Sequence, residues 1–186
     1  MLFRRLSRAL INFSKSSVAL AALITFLIFS AIFLPGQSAA AAVYSGSSGL
    51  PDLSLFYSSN DLYHMAEQYG STGRDAYVHA RFSFDLIFPI IYTLFLITAI
   101  SWILRTITLE SSSWRNLNLV PILGMLFDFL ENITASIVVN RYPVLSPISA
   151  NLAPTFTFLK WAFVGSSFLI LCASGLILLF TQKRTE

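Results

Sequence analysis

The chain has 186 residues, of which 55% are hydrophobic, 15% aromatic and only 11% charged. A soluble domain carries about a quarter charged residues, so the composition excludes an ordinary water-soluble fold. A formal charge of +3 leaves no nucleic-acid footprint. The length suits a single membrane domain over residues 1–186, and the one cysteine, Cys172, cannot form an internal disulfide.

A membrane-spanning helix needs about 20 mainly apolar residues to cover the hydrocarbon core. Four stretches meet that length: 18–34, 82–104, 117–139 and 156–180. Backbone polar groups in lipid must be satisfied within the segment, so the expected fold is all-α, a four-helix transmembrane bundle. Pro35-Gly36 is expected to end the first span. That span also resembles a secretory signal, because basic residues precede it and Ser38 to Ala42 supply a small-residue cleavage site. Its apolar stretch is longer than a signal needs, which favours a retained span.

Basic residues in short flanks set orientation. Arg4, Arg5, Arg8, Lys15, Arg105, Arg115, Lys183 and Arg184 fall on one side of the four spans. Only Arg74, Arg81, Arg141 and Lys160 fall on the other. Both termini are therefore expected in the cytoplasm of a multi-pass cell-membrane protein. Trp102, Trp114 and Trp161 sit near span ends, where amphipathic rings prefer to be.

The first outer loop, 36–80, begins with a small, polar segment from Gln37 to Gly49 that reads as flexible. Ser59-Asn60-Asp61 then starts a helix, and Leu62, Met65, Ala66 and Tyr69 recur at helical spacing. Gly70 is placed to close it. The expectation is a short amphipathic helix against the bundle or on the outer membrane surface. The last outer loop, Asn140 to Pro154, carries Pro143, Pro147 and Pro154 and reads as an ordered non-helical connection.

Ionisable residues inside spans are expensive and call for partners or a wet cavity. Arg81 and Asp85 lie four apart, on one helix face, and can pair; Pro89 and Tyr92 continue that face. Asp128, Glu131 and Asn132 share a face of the third span. At 1.5 Å per residue, Glu131 and Asn132 lie about 10–12 Å below the outer surface and Asp128 near mid-bilayer. Lys160 on the fourth span has a stem long enough to reach Glu131 or to snorkel outward. The expected unit is one buried network of Arg81, Asp85, Tyr92, Asp128, Glu131, Asn132 and Lys160 in the outer half of the bundle. His64 and His79 lack ligand spacing, so no metal is expected, and no cofactor motif is present.

Tyr69-Gly70-Ser71-Thr72-Gly73-Arg74-Asp75-Ala76-Tyr77, then Asp85-Leu86-Ile87-Phe88-Pro89 and Tyr92, form one motif series. Phe127-Asp128-Phe129-Leu130-Glu131-Asn132-Ile133, Tyr142-Pro143 and Lys160-Trp161 form a second. In this order they resemble a group of small, mainly microbial four-span membrane proteins that has no established activity. The resemblance implies that these residues act as a unit and supplies no function. Three functions stay open. The polar cavity would bind a small polar or lipid-headgroup ligand, or relay protons, with Asp128 and Glu131 as acid/base or cation-binding groups. In that reading Arg81 and Lys160 neutralise them or hold an anionic headgroup. Alternatively the network only fixes packing in a structural or accessory subunit. The third reading is an intramembrane lipid-modifying enzyme using Glu131 or Asp85 as general acid/base. The expected partners are the bilayer and a lipid or small polar ligand.

Overall fold

A computed structural model describes residues 2–182, apart from the side chain of Gln182. Lys183 and Arg184, two of the basic residues used for orientation, lie outside the described residues. The order is α1 (Leu2–Phe13), α2 (Ser16–Ser45), a 3-10 turn (Pro51–Leu53), α3 (Ser59–Gln68), α4 (Gly70–Arg81) and α5 (Phe84–Ile107). A second 3-10 turn (Ser113–Leu119), α6 (Val120–Arg141) and α7 (Pro147–Gln182) follow. No strand occurs among the described residues.

Four stretches are long and apolar enough to cross a membrane: Ser16–Ser45, Gly70–Ile107, Ser113–Arg141 and Pro147–Thr181. Along their most apolar parts, 6% of the first and 17% of the fourth is buried, against 61% and 50% for the second and third. The first and fourth therefore present large apolar side chains outward, such as Ile32, Leu169 and Phe180. Water tolerates such a surface poorly.

The boundaries differ from the sequence expectation in five places. Pro35 does not end the first helix; α2 continues to Ser45. Proline removes only one intrahelical bond, and the alanines of Ser38 to Ala42 are the best helix formers, so the segment read as flexible is helical. A basic helix, α1, precedes α2. A further helix, α4, directly follows α3, and Phe82 and Ser83 interrupt the path between α4 and α5. Gly70 does close α3, with φ +64°, a conformation that suits glycine. The last connection is only residues 142–146, because Pro147 opens α7 at a first-turn position that needs no N–H, and Pro154 lies inside that helix.

By its contacts the chain divides into two compact units. The first comprises the described parts of Met1–Ile28, Ile91–Gly124 and Ala162–Glu186. Here Phe26 stacks on Phe95 at 5.1 Å between ring centres. The buried Asn118 donates to Ser101 Oγ at 2.9 Å and to the Ser7 carbonyl at 3.2 Å, tying α1 to the second 3-10 turn. The second unit comprises Phe29–Ile90 and Met125–Trp161. Its core joins Leu62, Met65 and Ala66 of α3 to Tyr69 and Tyr77, to Ala135, Val138 and Val139 of α6, and to Ala150 and Ala153 of α7. The α3 helix is capped by Ser58, whose hydroxyl accepts from the Asp61 N–H while the Asp61 carboxylate accepts from the Ser58 N–H. On α4, a Cβ at Gly73 would lie 3.0 Å from Tyr44 Cβ and 3.2 Å from Tyr69 Cβ, so a bare Cα is what lets these rings close on the helix.

Candidate functional site

The second unit holds a cluster of five charged side chains drawn from five elements. The 3-10 turn contributes Asp52, with Pro51 fixing its first residue. The end of α4 contributes Arg81, the first turn of α5 Asp85, α6 Glu131 and α7 Lys160. Arg81 Nε lies 2.9 Å from Asp85 Oδ2, and Arg81 Nη1 lies 3.4 Å from Asp52 Oδ2. The pair forms although the helix is interrupted at Phe82–Ser83, because the interruption is only two residues long. The Arg81 guanidinium also sits over the Tyr77 ring, 4.9 Å from its centre.

Lys160 is shared between two carboxylates. Its Nζ donates to Asp52 Oδ1 and lies 2.6 Å from Glu131 Oε2. Glu131 Oε1 accepts from Thr157 Oγ1 at 2.7 Å, and the Tyr57 hydroxyl lies 3.0 Å from the same Thr157 oxygen. The Trp161 indole donates to the Asp52 carbonyl at 2.9 Å, which holds the 3-10 turn against α7. Asn132 donates to the Asp85 carbonyl at 3.3 Å and to Asp128 Oδ1 at 3.1 Å, so it fastens the start of α5 to α6.

Of the residues expected from sequence, Arg81, Asp85, Glu131 and Lys160 converge here, and Asn132 and Asp128 adjoin them through the Asp85 backbone. Asp128 and Tyr92 are both buried; Asp128 belongs to the second unit and Tyr92 to the first. Sequence reasoning missed Asp52, Tyr57, Tyr77, Thr157 and Trp161. Asp52 is the consequential omission, because it is the one carboxylate that meets both bases. Its only sequence signal is that it is the single charge between Gly46 and Ser58, set between Pro51 and Leu53.

Burial of the Asp52 carboxyl opposes its ionisation, but Lys160 and then Arg81 outweigh burial and hold its pKa below the usual carboxylate range. Burial pushes the Tyr57 hydroxyl well above its usual value, so it stays a neutral donor. A cleft of about 380 Å³ opens on this cluster at Asp52, Arg81 and Asp85. Leu34, Ala41 and Phe84 supply apolar walls, and Gln37, Ser38 and His79 also line it. No three His, Cys, Asp or Glu side chains are gathered as a metal cage among the described residues.

Comparison with protein families, curated proteins and solved structures finds no significant match. The chemistry of the cluster therefore has to be read from its own geometry. Three carboxylates of the five-residue cluster face two bases, so it carries one negative charge in excess when fully ionised, before the adjoining buried Asp128 is added. Buried charge without a counter-charge is disfavoured. The arrangement can therefore take up a proton or the positive end of a polar molecule. Neither base is left over to hold an anion, since Arg81 and Lys160 each already serve two carboxylates.

Proposed function

We propose that the chain is a multi-pass membrane protein with cytoplasmic termini, whose Asp52–Arg81–Asp85–Glu131–Lys160 cluster binds the polar end of a small ligand or lipid headgroup. The four long apolar helices and their outward-facing aliphatic side chains support the membrane reading. The basic flanks support the orientation.

One observation carries the binding reading: the exposure of the cluster is graded toward the cleft. The side chains of Asp52 and Asp85 are 25% and 13% exposed, while those of Lys160 and Glu131 are 4% and 2% exposed. A ligand in the cleft therefore meets the two carboxylates, with the paired bases behind them. An ammonium or hydroxyl group answers that surface better than a phosphate does. The apolar walls suit a chain attached to such a head. Asp85 and Asp52 are the contact groups, and Glu131 positions Lys160.

The same surplus carboxylate supports a second reading. A path of hydrogen bonds and one ion pair runs from Asp52 through Lys160, Glu131 and Thr157 to Tyr57, and would serve proton movement without any ligand.

Purification with native lipids, followed by mass spectrometry of what co-purifies, tests the binding reading. The wild type is expected to retain an amphiphile or polar molecule that Asp85→Asn loses while still folding and inserting into the membrane. Identical co-purifying species from both proteins would overturn ligand binding at this cleft. A folded Asp85→Asn protein that keeps its bound species and every cellular phenotype would leave the cluster a packing device.

A further inference from the structure

The first unit carries a second polar site of opposite sign. The α1 sequence, Leu2-Phe3-Arg4-Arg5-Leu6-Ser7-Arg8-Ala9-Leu10-Ile11-Asn12-Phe13, is strongly two-faced. At 100° per residue, Leu2, Leu6 and Phe13 fall on one side and Arg4, Arg5 and Arg8 on the other. Between the two faces, a narrow edge of Ser7 and Ile11 is buried. That edge is bonded to the protein: Ser7 Oγ donates to the Arg115 carbonyl at 3.1 Å, and Asn118 donates to the Ser7 carbonyl. The apolar side has no cover, since Leu2 is 75%, Phe3 71% and Phe13 62% exposed. A helix fixed by its edge, with one apolar and one basic face both free, has the form of a helix lying in a membrane interface.

A cavity of about 370 Å³ lies where this helix meets the connection between α5 and α6. Arg8, Ile11, Asn12, Glu110, Ser111 and Arg115 line it. An adjoining smaller cleft adds Arg4 and Ser112. Three guanidiniums thus surround one carboxylate, with three serine hydroxyls and two asparagine amides along the two clefts. Arg4 and Arg8 make no ion pair or side-chain hydrogen bond among the described residues. Arg115 is held in place by Nε donating to Thr108 Oγ1 at 3.1 Å and by Nη2 donating to the Thr108 carbonyl at 2.9 Å. Its Nη1 is left without a hydrogen bond among the described residues. Planar guanidiniums with free edges beside serine hydroxyls are the groups that recognise a phosphate.

The 3-10 turn that carries Arg115 also carries Trp114 and Leu117. These two line a separate apolar groove of about 530 Å³ with Leu104, Ile107, Ile170 and Ile177. One short turn therefore faces both a phosphate-type cavity and a groove wide enough for a hydrocarbon chain. A soluble anion would use the first and have no need of the second, nor of the apolar face of α1.

We propose that Arg4, Arg8 and Arg115, with Ser111 and Asn12, form a headgroup site for an anionic phospholipid. The inference rests on reading the four long helices as membrane spans. The phosphate sits in the basic cavity and the acyl chains run along α1 and the groove beside Trp114. Juxtamembrane basic residues of this kind are attracted to anionic leaflets and less to zwitterionic ones.

The full chain in detergent, titrated with phosphatidylglycerol, phosphatidylcholine or inorganic phosphate and read by native mass spectrometry and melting temperature, tests it. Phosphatidylglycerol is expected to bind and to raise the melting temperature more than phosphatidylcholine. Arg4→Gln/Arg8→Gln, which touches no internal bond, is expected to weaken phosphatidylglycerol binding by about 10- to 30-fold, at about three- to fivefold per contact. Lys15→Gln/Arg141→Gln removes the same charge away from the cavity and from the basic face of α1 and is expected to leave binding unchanged. Equal weakening in both double variants, or in neither, would overturn the site. So would protection by inorganic phosphate equal to that by phosphatidylglycerol, which would make it a soluble-anion site. Release of the protein from membranes by alkaline carbonate would overturn the membrane reading itself. A carbonate-resistant protein without the lipid preference would overturn this site alone.

Discussion

Lys160→Met isolates the centre of the charged cluster. Lys160 is 3% exposed and lies between Asp52 and Glu131, so the substitution keeps side-chain length and removes one positive charge. The two acids are not affected equally. Asp52 keeps Arg81 at 3.4 Å and is partly open to solvent. Glu131 is 1% exposed and keeps only the Thr157 hydroxyl. Breaking one side of a buried ion pair costs about 3–5 kcal/mol, most of it the penalty of the charge left behind. For a chain of this size that corresponds to a fall of roughly 6–20 °C in melting temperature, at about 2–4 °C per kcal/mol. Because the penalty falls on Glu131, the double variant Lys160→Met/Glu131→Gln is expected to recover more than half of the loss. The assay is heating in detergent followed by size-exclusion chromatography of the surviving monodisperse fraction. A Lys160→Met protein that melts within about 2 °C of the wild type, or a double variant no more stable than the single, would refute the reasoning.

Two further outcomes follow from the same geometry. Asp52 has a folded-state pKa below that of the unfolded chain, so it adds stability that is complete above about pH 4 and is lost as pH falls through the folded value. Asp52→Asn is therefore expected to lower the melting temperature by equal amounts at pH 7 and pH 5, which parallel melts at the two values check. Single cysteines at Ser47 and Ser112, in a Cys172→Ala background, are expected to label from opposite sides of intact membranes with an impermeant thiol reagent; labelling from one side would refute the four-span topology.

The apolar runs made the four long helices legible, since three exceed 20 residues and the first, 18–34, reaches the short end of what a membrane requires. Their ends were less so. Pro35 looked like a stop, but α2 runs through it, its next turns being rich in alanine. The short helix α4 was hidden because the reading stopped at Gly70, which closes α3 but also turns the chain directly into α4, where Gly73 makes room for Tyr44 and Tyr69. In the cluster, Arg81 and Asp85 were readable from four-residue spacing, and Glu131 and Lys160 from the expense of lone charges in lipid. Asp52 was not readable. Its place depends on the path of the connection after α2, which the Tyr69 hydroxyl fixes by donating to the Gly49 carbonyl and Trp161 fixes at Asp52 itself. Long-range backbone anchors of that kind leave no periodic trace.

The Trp161 indole, seated on the backbone of Asp52 and 5.2 Å from the Lys160 ammonium to its ring centre, gives the protein an internal optical reporter. Only three tryptophans are present, so replacing Trp102 and Trp114 by Phe leaves a single indole, which can be excited apart from the tyrosines. Its emission wavelength and its quenching by acrylamide then follow the docking of the Pro51–Leu53 turn, with no dye and no label near the cleft.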